Sequence, residues 1–144
     1  MRIDATPAVL WRCLTEPDLL KEWVPGYVDE TPEDPARTRG VGVASTMRLR
    51  EGSRISTYRC VVMRWEPERA VAIRLTGGAF AKDMHMDVDY EITPLERGCR
   101  VDYRVQCAMK GLYILLAPVI WLVSRGNATK ALTTLARVAK RQAA

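Results

Sequence analysis

Histidine is almost missing from this chain: His85 is the only one among 144 residues. Nucleophile pairs of the Ser-His or Cys-His kind need an imidazole, so any such site would have to be built on His85. The four cysteines, Cys13, Cys60, Cys99 and Cys107, form no C-x-x-C pair. With a single histidine beside them they argue against a zinc site. Their neighbours are apolar or lie at strand-like positions, so they read as small buried thiols in a reducing, cytoplasmic compartment. The opening MRIDATPAVLW lacks the apolar core, about 7–15 residues, of a secretory signal.

A long apolar run is lacking too. The least polar stretch is ILLAPVIWLV, residues 114–123. Lys110-Gly111 stands at one end and Ser124-Arg125-Gly126-Asn127 at the other. The uninterrupted run Leu112–Val123 contains Pro118 and falls short of the about 20 residues that a spanning helix needs. No transmembrane segment is expected. Nor is there a basic block. The net charge is +5, but the 22 Lys and Arg residues are dispersed and are not interleaved with aromatics. This speaks for a solvated surface and against a nucleic-acid site. No internal repeat or low-complexity segment occurs.

What is present fits one domain over residues 1–144. The chain is 48% apolar and 27% charged, as in an ordinary globule. Met1–Thr6 reads as a short strand. Thr6 is suited to cap a helix opening at Pro7, and Val9, Leu10, Cys13 and Leu14 share one face. A second short helix fits Glu16–Trp23, with Thr15 as cap and Val24-Pro25-Gly26 as its end. Residues 29–40, DETPEDPARTRG, read as a loop or an irregular strand edge.

From Val41 the period drops to two. Val41, Val43, Ser45, Met47 and Leu49 take one face, and Glu51-Gly52-Ser53 turns the chain. Arg54–Trp65 reads as a long strand with uneven alternation. Val71, Ile73 and Leu75 mark the next strand. Met84, Met86, Val88, Tyr90 and Ile92 oppose His85, Asp87, Asp89 and Glu91. Val101, Tyr103, Val105, Cys107 and Met109 alternate with polar partners. Tight turns join these strands, so the sheet is antiparallel, with one dry and one wet face. From Ala128 to Arg141 an amphipathic helix follows, with Leu132, Leu135 and Val138 on its apolar stripe. It is the element long enough to cover the dry face, and ILLAPVIWLV reads as its buried lead-in.

The stretches IDATPAVLW (3–11), LTEPDLLKEWVPG (14–26), RGVGVAS (39–45) and RGNATKALTTLAR (125–137), in this order, resemble the START-related helix-grip superfamily, specifically its bacterial members of the polyketide cyclase/dehydrase type. The resemblance covers about residues 3–141. It implies an α+β fold: a curved antiparallel sheet of about six to seven strands wrapped around the long C-terminal helix, with two short helices after the first strand. It also implies a cavity for a lipid, polyketide or similar apolar molecule. The family's first strand is usually longer than Met1–Thr6.

Candidate chemistry is sparse. Gly40-Val41-Gly42-Val43 is not a dinucleotide fingerprint, because Ser45 replaces the third glycine and a strand follows. His85, Asp87, Asp89 and Glu91 share the wet face and read as surface. No catalytic set, metal or cofactor is assigned. The ligand-binding candidates are the dry positions Trp23, Tyr27, Met47, Tyr58, Met84, Met86, Tyr90, Tyr103, Val105, Met109, Leu122 and Leu135. Buried tyrosine hydroxyls want partners, and methionines adapt to irregular shapes.

The leading expectation is therefore a carrier or sensor of a hydrophobic small molecule. An alternative is a cyclase or dehydrase using Tyr58, Tyr90, Tyr103, Arg59 or Arg104 as donors. Another is a partner-binding role for the basic helix face Lys130, Arg137, Lys140 and Arg141, toward a second copy or a weak acidic partner.

Overall fold

The structure is a computed structural model that describes residues 1–78, 80, 84–108 and 117–143, with side chains omitted for 117–128. Met109 and the side chain of Leu122 therefore lie outside the described residues, as do residues 114–116 of the apolar stretch. The chain runs β1 (Arg2–Ile3), α1 (Pro7–Thr15), α2 (Pro17–Trp23), β2 (Tyr27–Pro32), β3 (Ala44–Glu51), β4 (Arg54–Glu66), β5 (Ala70–Gly77), β6 (His85–Pro94), β7 (Cys99–Ala108) and α3 (Ala117–Ala143). The strands form one antiparallel, curved sheet in the order β1-β7-β6-β5-β4-β3-β2.

Local chemistry explains the two short helices. The Thr6 hydroxyl oxygen accepts the Val9 N–H at 3.3 Å, and Pro7 opens α1. Thr15 does not cap α2, contrary to expectation. Its hydroxyl donates to the Trp11 carbonyl at 2.7 Å, which uses it on α1, and Glu16 stands at the α2 cap without a side-chain bond. Gly26 follows α2 with φ +75°, and a Cβ there would sit 2.4 Å from the Arg50 carbonyl oxygen. Only glycine permits that approach of the helix exit to β3. Pro118 is the second residue of α3, where its missing N–H costs nothing.

Two bulges decide which side chains face inward. In β2 the register shifts between Tyr27 and Asp29, so Tyr27 opposes Leu49 while Glu30 opposes Met47. The extra residue reverses the parity of the strand and brings both Tyr27 and Glu30 to the concave face. In β4 the shift lies between Val62 and Arg64. It turns Cys60, Val62 and Trp65 inward and leaves Met63 46% exposed on the outer face. The uneven alternation of Arg54–Trp65 has this cause. Of residues 29–40, expected as a loop or an irregular strand edge, 29–32 belong to the bulged edge strand β2, which pairs with Ser45–Leu49 of β3.

The core sits at the β1–β7–β6 end. Leu10, Cys13, Cys99, Val101, Leu135 and Ala139 are fully buried there. The described part of α3 packs on α1, α2 and β1. Arg141 pairs with Glu22 of α2. Val41 is 54% exposed rather than inward, because β3 begins only at Ala44. Cys107 is exposed, unlike the other three thiols. Among the described residues, no helix is long and apolar enough to cross a membrane.

Candidate functional site

Between the concave sheet face and the α1–α2 pair lies a cavity of about 410 Å³. Small-molecule sites span roughly 300–1,000 Å³. The floor is apolar: Val62, Ile73, Leu75, Met86 and Val88 come from β4, β5 and β6, while Leu14, Leu20 and Val24 close it from the helices. Thr38 and Arg39, both exposed, also line it, as do Thr15 and Glu16 at the α1–α2 junction.

Of the sequence candidates, Trp23, Tyr27, Met47, Met86, Tyr90 and Tyr103 line this cavity. Tyr58, Met84, Val105 and Leu135 do not. Tyr58 is buried in the first half of β4, its ring 5.5 Å from that of Phe80 and its hydroxyl donating to Glu51. Met84 is buried just before β6 begins. Val105 is half-buried on β7, outside the lining. Leu135 is a core residue, since the described part of α3 seals the α1–α2 end. The donors Arg59 and Arg104 lie on the other face of the sheet: Arg59 pairs with Glu33 at 2.7 Å, and both Arg104 and the Arg74–Asp87 pair border an outer depression. His85 Nε2 is 3.7 Å from Asp87 on that face.

Glu30 and Ser45 were not foreseen as site residues. The Glu30 carboxylate accepts the Tyr27 hydroxyl at 3.0 Å and the Ser45 hydroxyl on its other oxygen. Burial, reinforced by the Glu30 charge, pushes the Cys60 thiol up to about 12. The same two causes raise Tyr27 above the ordinary phenol range. Both groups therefore keep their protons at neutral pH. The signal that would have revealed Glu30 is the broken parity of β2, which single-strand alternation cannot report.

The other polar feature is a pair of tyrosines. Tyr90 on β6 faces Tyr103 on β7 with ring centroids 5.0 Å apart. The Trp23 indole meets the Tyr90 ring edge-on at 5.9 Å, and its N–H is anchored on the Cys13 carbonyl at 2.7 Å. Burial raises both phenols. Among the described residues neither hydroxyl has a hydrogen-bond partner. Residues able to hold a metal do not cluster among the described residues.

A curved antiparallel sheet with a long C-terminal helix, two short helices after the first strand and a cavity beneath them defines the helix-grip class. Within that class, the family model for polyketide cyclase/dehydrase and lipid transport proteins matches residues 1–140, and the chain belongs to this family. Solved structures share the fold at low identity. A Nitrosomonas europaea protein superposes with a TM-score of 0.74 at 17% identity, over 99% of this chain and 92% of its own. A Thermus thermophilus protein gives 0.75 at 14%, over 100% and 96%. The di-domain ARO/CYC StfQ from the steffimycin biosynthetic pathway gives 0.77 at 16% over 99% of this chain, which spans 49% of StfQ. No curated protein matches the chain.

Proposed function

We propose that this protein binds a hydrophobic small molecule in the cavity and acts as a carrier or sensor. The observation that carries this reading is the cavity itself: about 410 Å³, floored by aliphatic and thioether side chains. Apolar burial contributes about 25 cal/mol per Å² before the cost of ordering the ligand. The family description, which includes lipid transport, supports the same reading. The cyclase alternative draws on the fold it shares with StfQ and on Glu30, a carboxylate in the cavity wall that is positioned as a general-base candidate.

The test is fluorescence titration with N-phenylnaphthylamine, a neutral apolar probe, on the wild type and on Ile73→Trp. The substitution puts an indole on the cavity floor. Saturable binding by the wild type and its loss in a variant with unchanged circular dichroism is the expected result. Equal binding by both, or none by a folded wild type, overturns the reading. Native mass spectrometry of protein purified without added ligand gives an independent readout, a retained apolar adduct.

A further inference from the structure

Hydrogen-bond direction divides the cavity wall into two unlike ends. At the β2–β3 end, the Tyr27 and Ser45 hydroxyl protons have a destination. Tyr27 and Ser45 each own one proton and give it to Glu30. An ionised carboxylate donates nothing. The Glu30 cluster therefore presents a ligand with lone pairs, beside the Thr38 and Arg39 side chains of the same wall. At the β6–β7 end the situation is reversed. Tyr90 and Tyr103 hold two phenolic protons with no acceptor among the described residues. A hydroxyl facing an apolar cavity without a partner is costly, and a ligand acceptor removes that cost.

The geometry points to a polarised site whose ligand is an elongated amphiphile. Its apolar body lies on the cavity floor, a hydroxyl or amine donates to Glu30, and a carbonyl oxygen accepts from Tyr90 and Tyr103. This rests on the cavity reading above and adds the ligand's polarity and direction. The sheet sets its length. Ser45, Cys60, Leu75 and Met86 are cross-strand partners in one row, and Tyr90 stands four residues beyond Met86 on β6. On a flat sheet Ser45 and Tyr90 would be about 20 Å apart, and curvature together with inward-pointing side chains shortens the gap. A twelve-carbon chain is of the right order.

The experiment displaces N-phenylnaphthylamine with three matched compounds: methyl ω-hydroxydodecanoate, its ω-methoxy ether and dodecanol. The wild type should bind the hydroxy ester about tenfold or more tightly than the methoxy ester, as expected for a lost bond to a charged acceptor. In Glu30→Gln, which keeps the shape of the side chain, the gap should fall to about threefold or less. In the double variant Tyr90→Phe/Tyr103→Phe, the hydroxy ester should weaken to the level of dodecanol, while the methoxy gap persists. Equal competition by the hydroxy and methoxy esters in the wild type overturns the proposal, as does a gap that survives Glu30→Gln. If the probe binds but no discrimination follows, this inference alone fails. If the probe does not bind, the cavity reading fails and takes this one with it. Should Glu30→Gln not fold, the wild-type comparison and the tyrosine variant still decide.

Discussion

The two ends of the sheet bury apolar side chains to different degrees. Under α1, α2 and α3, buried residues run from 0% to 6% exposure, and Leu10, Cys13, Cys99, Val101, Leu135 and Ala139 are excluded from solvent entirely. Across β2–β5, Tyr27, Met47, Tyr58, Cys60 and Leu75 retain between 3% and 7% exposure, and polar atoms are mixed in. The first region is packed by the helices, and of its buried residues Leu14, Trp23 and Val71 also line the cavity. The second is left partly open, and the Tyr27 and Ser45 hydroxyls both bond to Glu30 in its wall. Stability and ligand contact thus draw on largely different residues of one sheet face. That separation can be broken by substitution.

The largest effect should come from Leu135→Ala. A fully buried leucine between three helices and the sheet leaves a cavity that its surroundings cannot refill, at a cost of about 4 kcal/mol. Urea denaturation measures it. Probe affinity, taken where the variant is still folded, should stay within about twofold. A large loss of affinity would show that the two regions are coupled.

The second effect is alkaline. The Cys60 thiol has its ordinary value of 9.0 when unfolded and about 12 in the folded chain. Above pH 9 the unfolded chain releases this proton and the folded chain holds it. Stability is therefore full below about pH 9 and falls as pH rises toward 12, by about 3 kcal/mol from this group alone. The buried Tyr27 and Tyr90 phenols add to the fall in the same direction. Denaturation across the alkaline range should give a shallower slope for Cys60→Ser, whose hydroxyl does not titrate there. An identical slope would mean that Cys60 is not shielded as described. The same burial predicts that iodoacetamide at neutral pH labels Cys107 and spares Cys13, Cys60 and Cys99.

Trp23 joins the two regions, because its indole lines the cavity while its N–H is bonded into the core. Trp23→Phe strands the buried Cys13 carbonyl and should cost about 2 kcal/mol, read from the urea midpoint. Unlike Leu135→Ala, it should also change probe affinity. A stability loss with untouched affinity would assign Trp23 to the core alone.

Much of this arrangement was readable from the residues. Thr6 and Pro7 announced α1, and the alternation of Met86, Val88, Tyr90 and Ile92 gave the face of β6 correctly. Pattern failed where backbone geometry interrupted it. The bulge after Tyr27 moved Glu30 inward, and the bulge in β4 exchanged Met63 for Trp65. No local rule marks either insertion, since each is set by the partner strand. Tertiary placement was equally hidden. Leu135 and Tyr90 are both apolar-face residues, and only the direction of α3 sends the first to the core and leaves the second on the cavity wall.

The smallest expected effect is the sharpest contrast with Leu135→Ala. Tyr90→Phe/Tyr103→Phe deletes two hydroxyls that bond to nothing among the described residues. The rings remain, including the tilted Tyr90–Tyr103 pair and the edge-on contact with Trp23. Removing an unsatisfied donor from an apolar setting costs no hydrogen bond and can relieve desolvation. Stability should therefore change by less than about 0.5 kcal/mol, or rise slightly. A loss of about 2 kcal/mol or more in urea denaturation, a magnitude typical of a broken buried hydrogen bond, would mean that the hydroxyls belong to the fold. Unchanged stability with weakened binding of a carbonyl-bearing ligand would mean that they are held there for a guest.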